Sequence, residues 1–484
     1  MDGLERDFFA KIKKAVFANP FGATRAAVDL ELTGMSKSSS NDQILARLME
    51  EVVARISKYK DDITNKNKSL SAEELDLLRY GVLFYTFHHH CASYDRLIDR
   101  QIEQGAKPCR VDFADEVLQF LYTYGFSQAE ALRYLSLFFQ LRRAFYFINN
   151  IAGKSHCVTQ LRKSLWNNIF TYDVGLYETY LWNRMEDFST ILLGETGTGK
   201  GMAAGAIGRS GFIQFDEKTK RFADSFAQTF ISINLSQYSE SLIESELFGH
   251  RKGAFTGAVD SFKGVFSRCS PHGAIFLDEI GEVSIPVQIK LLQVLQERLF
   301  TPVGSHRVEK FEGRVIAATN QPIDELRKQG KFRDDFYYRL CSDTIEVPPL
   351  RKRLAEHPGE LREILSRTVG RILGYSSEEL TAEIEQLIEK SQPHNYHWPG
   401  NIRELEQCVR QMLLNRCYSW SETSQSREKW VSFQEKYQQG RFSARDLLSH
   451  YCSLLYEQHG TQEKVAKLVQ LDRRTVKKYL QEKE

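Results

Sequence analysis

Two stretches of this 484-residue chain carry residue types and spacings suited to phosphate chemistry. Gly194-Glu195-Thr196-Gly197-Thr198-Gly199-Lys200 is a phosphate loop. Its glycines let backbone N–H groups wrap a polyphosphate, and Lys200 has the reach for the β- and γ-phosphates of ATP. Gly201 stands where a Ser or Thr usually follows the lysine. That removes a direct Mg²⁺ ligand and puts a weak helix former in the first turn. Downstream, Ala274-Ile275-Phe276-Leu277-Asp278-Glu279 ends an apolar run in an acidic pair. Asp278 would hold Mg²⁺ through water, and Glu279 would polarise the attacking water as general base. Such a pair alone is a common surface feature. After a phosphate loop it reads as the second half of an ATP-hydrolysing site.

These groups need a rigid frame. Short apolar runs at Thr190-Ile191-Leu192-Leu193, Phe230-Ile231-Ser232-Ile233, Ala274 to Leu277 and Arg314-Val315-Ile316-Ala317-Ala318 alternate with helical stretches. That predicts a parallel sheet covered on both faces, across residues 156–350. Residues 1–155 look mostly helical, with Leu45, Leu48, Val52 and Ile56, then Val117, Phe120, Leu121, Leu132, Leu135, Phe138 and Phe139, at three- and four-residue steps. The polar run from Ser36 to Asp42 reads as a loop that caps the next helix. Residues 351–415 return to helical spacing, 416–443 read as a polar linker, and 444–484 as a small helical unit. The fold class expected is multidomain α and α/β.

Bulk properties narrow the function classes. Hydrophobic residues make up 42% and charged residues 26%, ordinary globular material. A net charge of +2 excludes a polycation that coats nucleic acid, so any DNA contact must be local. No apolar run approaches a membrane span, and no signal peptide is seen. The eight cysteines are scattered without a Cys-x-x-Cys pair, which reads as reduced thiols in a cytoplasmic protein.

Between the two halves of the ATP site lies Gly253-Ala254-Phe255-Thr256-Gly257-Ala258, led in by Glu244-Ser245-Glu246-Leu247-Phe248-Gly249-His250-Arg251-Lys252. A nucleotide motor with this hexapeptide resembles the bacterial enhancer-binding activators that remodel sigma-54 RNA polymerase, with an AAA+ ATPase domain. The likeness is strong over about residues 190–410 and good over 445–482. It implies that the hexapeptide touches the sigma-54 RNA polymerase holoenzyme. Two flanking glycines suit a loop that changes shape, and an exposed Phe beside a Thr suits a protein partner. It implies further that Asn320 senses the γ-phosphate and that Asn234 restrains Glu279. Phe332-Arg333-Asp334-Asp335-Phe336-Tyr337-Tyr338-Arg339 carries two arginines six apart that nothing local requires. By resemblance, Arg333 and Arg339 reach a neighbour's γ-phosphate in a homo-oligomeric, hexameric ring. Trp398-Pro399-Gly400-Asn401-Ile402-Arg403 matches the lid motif, in which Asn401 caps a helix and Arg403 points at nucleotide. Gly201 departs from the family, which usually carries Glu there, and Arg251 often corresponds to Glu.

The C-terminal segment resembles a helix-turn-helix of the Fis type. Gly460 to Leu468 reads as a first helix with Thr461 near its cap, Val469 to Asp472 as a turn, and Arg473 to Leu480 as a second helix. Val465, Leu468, Leu471, Val476 and Leu480 are expected to form its core. Arg473, Arg474, Thr475, Lys477 and Lys478 are expected to face double-stranded DNA. The stripe Leu447, Leu448, Tyr451 and Leu455 suits a dimerising helix. The N-terminal region does not show the acidic phosphoacceptor pattern of a response-regulator receiver domain, and by position it is expected to be the signal receiver. Its His88-His89-His90-Cys91 run invites a metal, but adjacent histidines on one helix cannot all face one ion. They read as ordinary helix residues. Lys107-Pro108-Cys109-Arg110 offers a candidate reactive thiol. Two rival functions stand beside the activator: a DNA-binding switch that holds ATP without cycling, supported by Gly201 alone, and a general protein-remodelling ATPase.

Overall fold

Capping and helical period decide the N-terminal region. The computed structural model describes residues 1–36, 38–64, 70–393, 396–420, 443–459 and 461–481. Ser40 caps Asn41–Lys58 in a reciprocal box with Gln43, as the polar run predicts, although Lys37 lies outside the described residues. Ser71 and Ser127 build the same box with Glu74 and Glu130 at Ala72–His89 and Gln128–Asn149. Leu48, Val52, Ile56, Val117, Leu121, Leu135, Phe138 and Phe139 are all buried. Cys109 is buried as well, and its thiol donates to Gln104 Oε1 at 2.7 Å, so the Lys107–Arg110 turn presents no exposed thiol. All eight cysteines are free.

A five-stranded, all-parallel sheet follows. Its spatial order is Phe230–Asn234, Ala274–Asp278, Arg314–Thr319, Thr190–Leu193 and Asp343–Glu346. The four expected strands are present. The fifth, at the edge, buries only Ile345 and has no apolar run to betray it. Helices cover both faces. On one side pack Ile243, Leu247, Phe266, Leu291 and Phe336. On the other pack Lys200–Gly208 and helices of the N-terminal region.

That second face continues across residue 155 as one core. The long helix Gln128–Asn149 lies against Lys200–Gly208 and is fastened there by Arg143. The Arg143 guanidinium, fully buried, donates to Arg209 O and Gly211 O, both at 2.7 Å. Those carbonyls lie just past the C-terminal end of the phosphate-loop helix, where a cation is favourable. Phe139 and Phe226 flank the guanidinium at 4.5 and 5.4 Å. Burial lowers its pKa to about 9. Residues 1–389 with 400–416 make one compact unit; residues 390–399 with 417–484 make a second. Most of the expected linker, 421–442, lies outside the described residues. No helix among the described residues is long and apolar enough to cross a membrane.

Candidate active site

Parallel strands bring their carboxyl ends to one edge of the sheet, and the chemistry collects there. Register places Leu193 beside Thr319, and Asp278 between Asn234 and Ala318. The phosphate loop leaves Leu193, with Gly197 at φ 79° and Gly199 at φ 104°, and Lys200–Gly208 begins at once. A side chain at Gly197 would collide with Gly400 O, so the loop needs glycine there for space as well as for angle. Lys200 Nζ donates to Gly194 O at 2.8 Å and Glu195 O at 3.1 Å. Burial lowers the Lys200 pKa, while the carboxylates of Glu279 and Asp278 act the other way. Burial likewise raises Asp278, against the pull of Lys200. Ammonium and carboxylate thus share a poorly solvated edge, the setting in which charge acts most strongly on phosphate. The loop N–H groups, Lys200 and Asp278 fit a nucleotide with Mg²⁺.

Glu279 sits at φ 58°, ψ 47°, a left-handed conformation uncommon for glutamate, at the start of the turn Ile280–Glu282. Its carboxylate accepts the Asn320 N–H at 3.4 Å, and Asn320 Nδ2 donates to Thr196 Oγ1 at 2.7 Å. Base, sensor and phosphate loop are therefore joined in one chain of hydrogen bonds. Asn234 occupies the next strand, but its amide oxygen accepts from Ser236 N (3.0 Å) and Ser236 Oγ (2.7 Å). Among the described residues no hydrogen bond links Asn234 to Glu279.

The lid closes over the loop. Asn401 does not cap its own helix, as the motif suggests; it is the first residue of Asn401–Asn415, at φ 53° and fully buried. Its side chain accepts Leu350 N–H at 2.8 Å and donates to Thr196 O at 3.1 Å and Glu195 Oε2 at 3.2 Å. Arg351 grips both Glu195 carboxylate oxygens, and Ile402 N–H donates to Gly197 O at 3.0 Å. Glu195 and Thr196 thus hold the lid. Arg403 lies beside Gly197, and its charge bears on both Lys200 and Asp278. Next to Thr198 and Gly199, a cavity of about 190 Å³ is walled by Ile151, Ile364, Arg371 and Ile402. Gly201 is exposed, and a Cβ there meets only Phe276, at 4.0 Å. Packing does not demand glycine at this position.

Arg333 and Arg339 do have local partners. Arg333 pairs with Asp335 through two bonds of 3.0 and 2.7 Å, and Arg339 donates twice to Leu295 O. Neither makes a hydrogen bond to this chain's own phosphate loop among the described residues.

Residues 253–258 form an exposed turn on a hairpin-like base. His250 and Phe262 exchange backbone bonds of 3.0 and 2.9 Å. Gly253 (φ 80°) and Gly257 (φ 102°) bracket the tip, and Gly253 N–H closes onto Ala258 O at 2.8 Å. Thr256 is exposed; Phe255 is 39% exposed, edge-on to the His250 ring at 4.9 Å. Ala254 packs tightly on Gly304, and Val303 bonds Gly249 and Arg251, so a second loop braces the first. The sequence did not flag that brace.

A further network, also missed, ties the lid to the entry segment at 150–157. The Glu360 carboxylate, fully buried, accepts Lys154 N–H (2.6 Å), Ser155 N–H (3.0 Å), Ser155 Oγ (3.1 Å) and Arg353 Nε (2.8 Å). Burial pushes its pKa up, but the Lys154 N–H and Arg353 bring the net shift below the ordinary glutamate value. Arg353 also donates to Ala152 O at 2.5 Å, and Cys157 N–H to Glu356 at 2.7 Å.

In the C-terminal unit, Ala444–His459, Gln462–Val469 and Arg473–Gln481 pack around Cys452, Leu455, Val465 and Val476. Leu471 and Leu480 support this core, whereas Leu468 is 52% exposed and Val469 and Tyr479 serve instead. Gln470 makes the left-handed turn. Asp472 accepts Arg474 N–H and Thr475 N–H at 2.7 and 3.0 Å, starting the second helix. Arg473, Arg474, Lys477 and Lys478 are exposed, with Arg473 paired to Glu463. Thr475 is half-buried and its hydroxyl is bonded to Asp472.

Residues 178–346 match the family described as the sigma-54 interaction domain. The chain is 43% identical over 227 residues to the Nif-specific regulatory protein of Azotobacter vinelandii, covering 47% of this chain and 40% of that protein. It is 38% identical over 279 residues to the sigma54-dependent transcriptional activator SfnR of Pseudomonas putida, covering 56% of this chain and 69% of the relative. The match thus spans under half of one relative and about two thirds of the other. Among solved structures, NtrX from Brucella abortus in complex with ATP aligns at a TM-score of 0.40 and 18% identity, over 76% of this chain and 80% of that one. The chain belongs to the sigma-54-dependent transcriptional activators and carries their AAA+ ATPase domain.

Proposed function

We propose that this protein is a cytoplasmic, DNA-tethered ATPase that drives remodelling of the sigma-54 RNA polymerase closed complex. One observation carries the reading: the Phe255–Thr256 tip stands exposed between two glycines of positive φ, in the same domain as a phosphate site. Asp278 would hold Mg²⁺ through water, and the ion would offset phosphate charge. Lys200 and the loop N–H groups orient ATP. Glu279 takes the proton of the attacking water. Asn320 is bonded to both Glu279 and Thr196, so a γ-phosphate competing for it would alter the base at the same moment. That change would raise or retract the tip.

Arg333 and Arg339 support a hexameric ring, since neither makes a hydrogen bond to its own phosphate loop among the described residues. On binding a neighbour's phosphate, Arg333 would exchange Asp335 for a stronger, doubly charged partner. Arg403 would report nucleotide to the lid. The C-terminal unit would hold double-stranded DNA through Arg473, Arg474, Lys477 and Lys478, with Thr475 shaping the helix start. Residues 1–155 would set the activity, and the Glu360–Ser155 contact gives them a direct route to the lid.

The test is Thr256→Ala. ATP turnover should remain near wild type while transcription from a sigma-54 promoter is lost. Retained activation would remove the tip from the mechanism. Loss of turnover in Arg333→Ala and Arg339→Ala, restored by mixing with a Glu279→Gln chain, would support the ring against a non-cycling switch.

A further inference from the structure

The helix Ala72–His89 stops at His90, whose φ of −99° and ψ of 5° break the helical path, and Cys91–Gln104 starts directly after it. On an unbroken helix adjacent side chains diverge by about 100°. At this break the rings of His89 and His90 come within 5.0 Å of each other. His89, His90 and Glu116, in the first turn of Ala114–Thr123, each place a ligand atom within 4.8 Å of the other two. Among the described residues no other group of three His, Cys, Asp or Glu side chains does so.

His90 is 5% exposed. Aromatic neighbours fix its direction: Phe113 stacks on it at 5.8 Å, and His89 meets it edge-on at 5.0 Å. Tyr85 stacks in turn on His89. His89 Nε2 and Glu116 Oε1 are 4.0 Å apart, too long for a hydrogen bond. Ligands around one ion with bonds of about 2.0–2.2 Å stand roughly 3–4 Å apart, so little movement closes the set. The neighbouring residues are otherwise engaged: His88 contacts Arg25, and Cys91 donates to Phe87 O.

We propose that His89, His90 and Glu116 bind a divalent first-row transition ion of the zinc class, with water in the remaining positions. Two imidazole nitrogens and one carboxylate suit Zn²⁺, Co²⁺ or Ni²⁺ far better than Mg²⁺ or Ca²⁺. The ion would pin the start of Ala114–Thr123 to the corner between the two preceding helices.

The experiment uses the full chain, stripped with chelator and free of nucleotide. Co²⁺ is titrated while visible absorption is followed, and the thermal midpoint is measured with and without Zn²⁺. Wild type should saturate at one equivalent and melt higher with Zn²⁺. His89→Ala and Glu116→Gln alter exposed side chains and should keep the fold, checked by far-UV circular dichroism. Each should lose the Co²⁺ band and the Zn²⁺ shift. No saturable band in wild type, or an equal response in both variants, overturns the site.

Discussion

The catalytic edge and the seam between the N-terminal helices and the ATPase treat buried charge in opposite ways. At the edge, Asp278 is held away from water with its pKa raised, Lys200 is lowered, and Glu279 sits in a left-handed backbone. At the seam, Glu360 has four donors and Arg143 has two carbonyls and two aromatic flanks. Unmet charge is useful where phosphate must be bound and a water activated. Buried charge held by several partners is costly to disturb, so it suits a joint that transmits position. The edge should therefore tolerate substitutions that abolish activity, and the seam should not tolerate substitutions at all.

The sharpest way to break that contrast is Glu279→Gln. Gln keeps the shape and the same backbone strain but cannot take a proton. ATP turnover should fall about 10²–10⁴-fold, the usual worth of a general base, with nucleotide binding and the thermal midpoint unchanged. Turnover by a phosphate-release assay, beside nucleotide binding by fluorescence, decides it; undiminished turnover would place the base elsewhere.

Glu360→Gln tests the seam. It leaves the buried Arg353 guanidinium without its counter-charge, and removing one partner of such a pair costs about 3–5 kcal/mol. Urea unfolding at neutral pH should show the loss. The sign with pH follows from the lowered pKa. Folded Glu360 binds fewer protons than unfolded Glu360 in the range below its ordinary value of 4.5. Its contribution is complete above that value and disappears as pH falls through the folded one. The variant should therefore lose less stability on acidification than wild type. Identical acid limbs would mean the pair carries no net weight.

These two regions were also unequally legible in the sequence. Phosphate chemistry needs particular atoms a few residues apart, so Gly194 to Lys200, Asp278-Glu279 and the 253–258 tip can be read directly, and four of five strands follow from apolar runs. The seam joins Ser155 to Glu360 across 205 positions, and no local spacing records such a pair. The strand Asp343–Glu346 hides because three of its four residues are polar and exposed. Asn401 was found through its motif, yet its role depends on Glu195 and Leu350, both distant in sequence. Leu468 has the period of a core residue but is 52% exposed, and its neighbour Val469 packs against the core in its place. The histidine run is unsuited to one ion on a continuous helix, and the break after His89 is not marked by any Pro or Gly in the sequence.

Gly201 gives the smallest effect and the finest comparison, because it lies on the active edge without sharing its tension. Its φ is not positive, it begins the second residue of Lys200–Gly208, and a Cβ would meet nothing closer than 4.0 Å. Glycine in a helix costs about 0.5–1 kcal/mol relative to alanine, mostly through the freedom of the unfolded chain. Gly201→Ala should raise stability by about that amount and leave turnover near wild type, since alanine adds no ligand for Mg²⁺. A Glu at 201 tests the same space with the side chain the family usually carries. If Gly201→Ala stabilises but slows turnover, the first turn of this helix must flex during the cycle, and the glycine belongs to the motor; if neither quantity moves, the position is indifferent to both folding and catalysis.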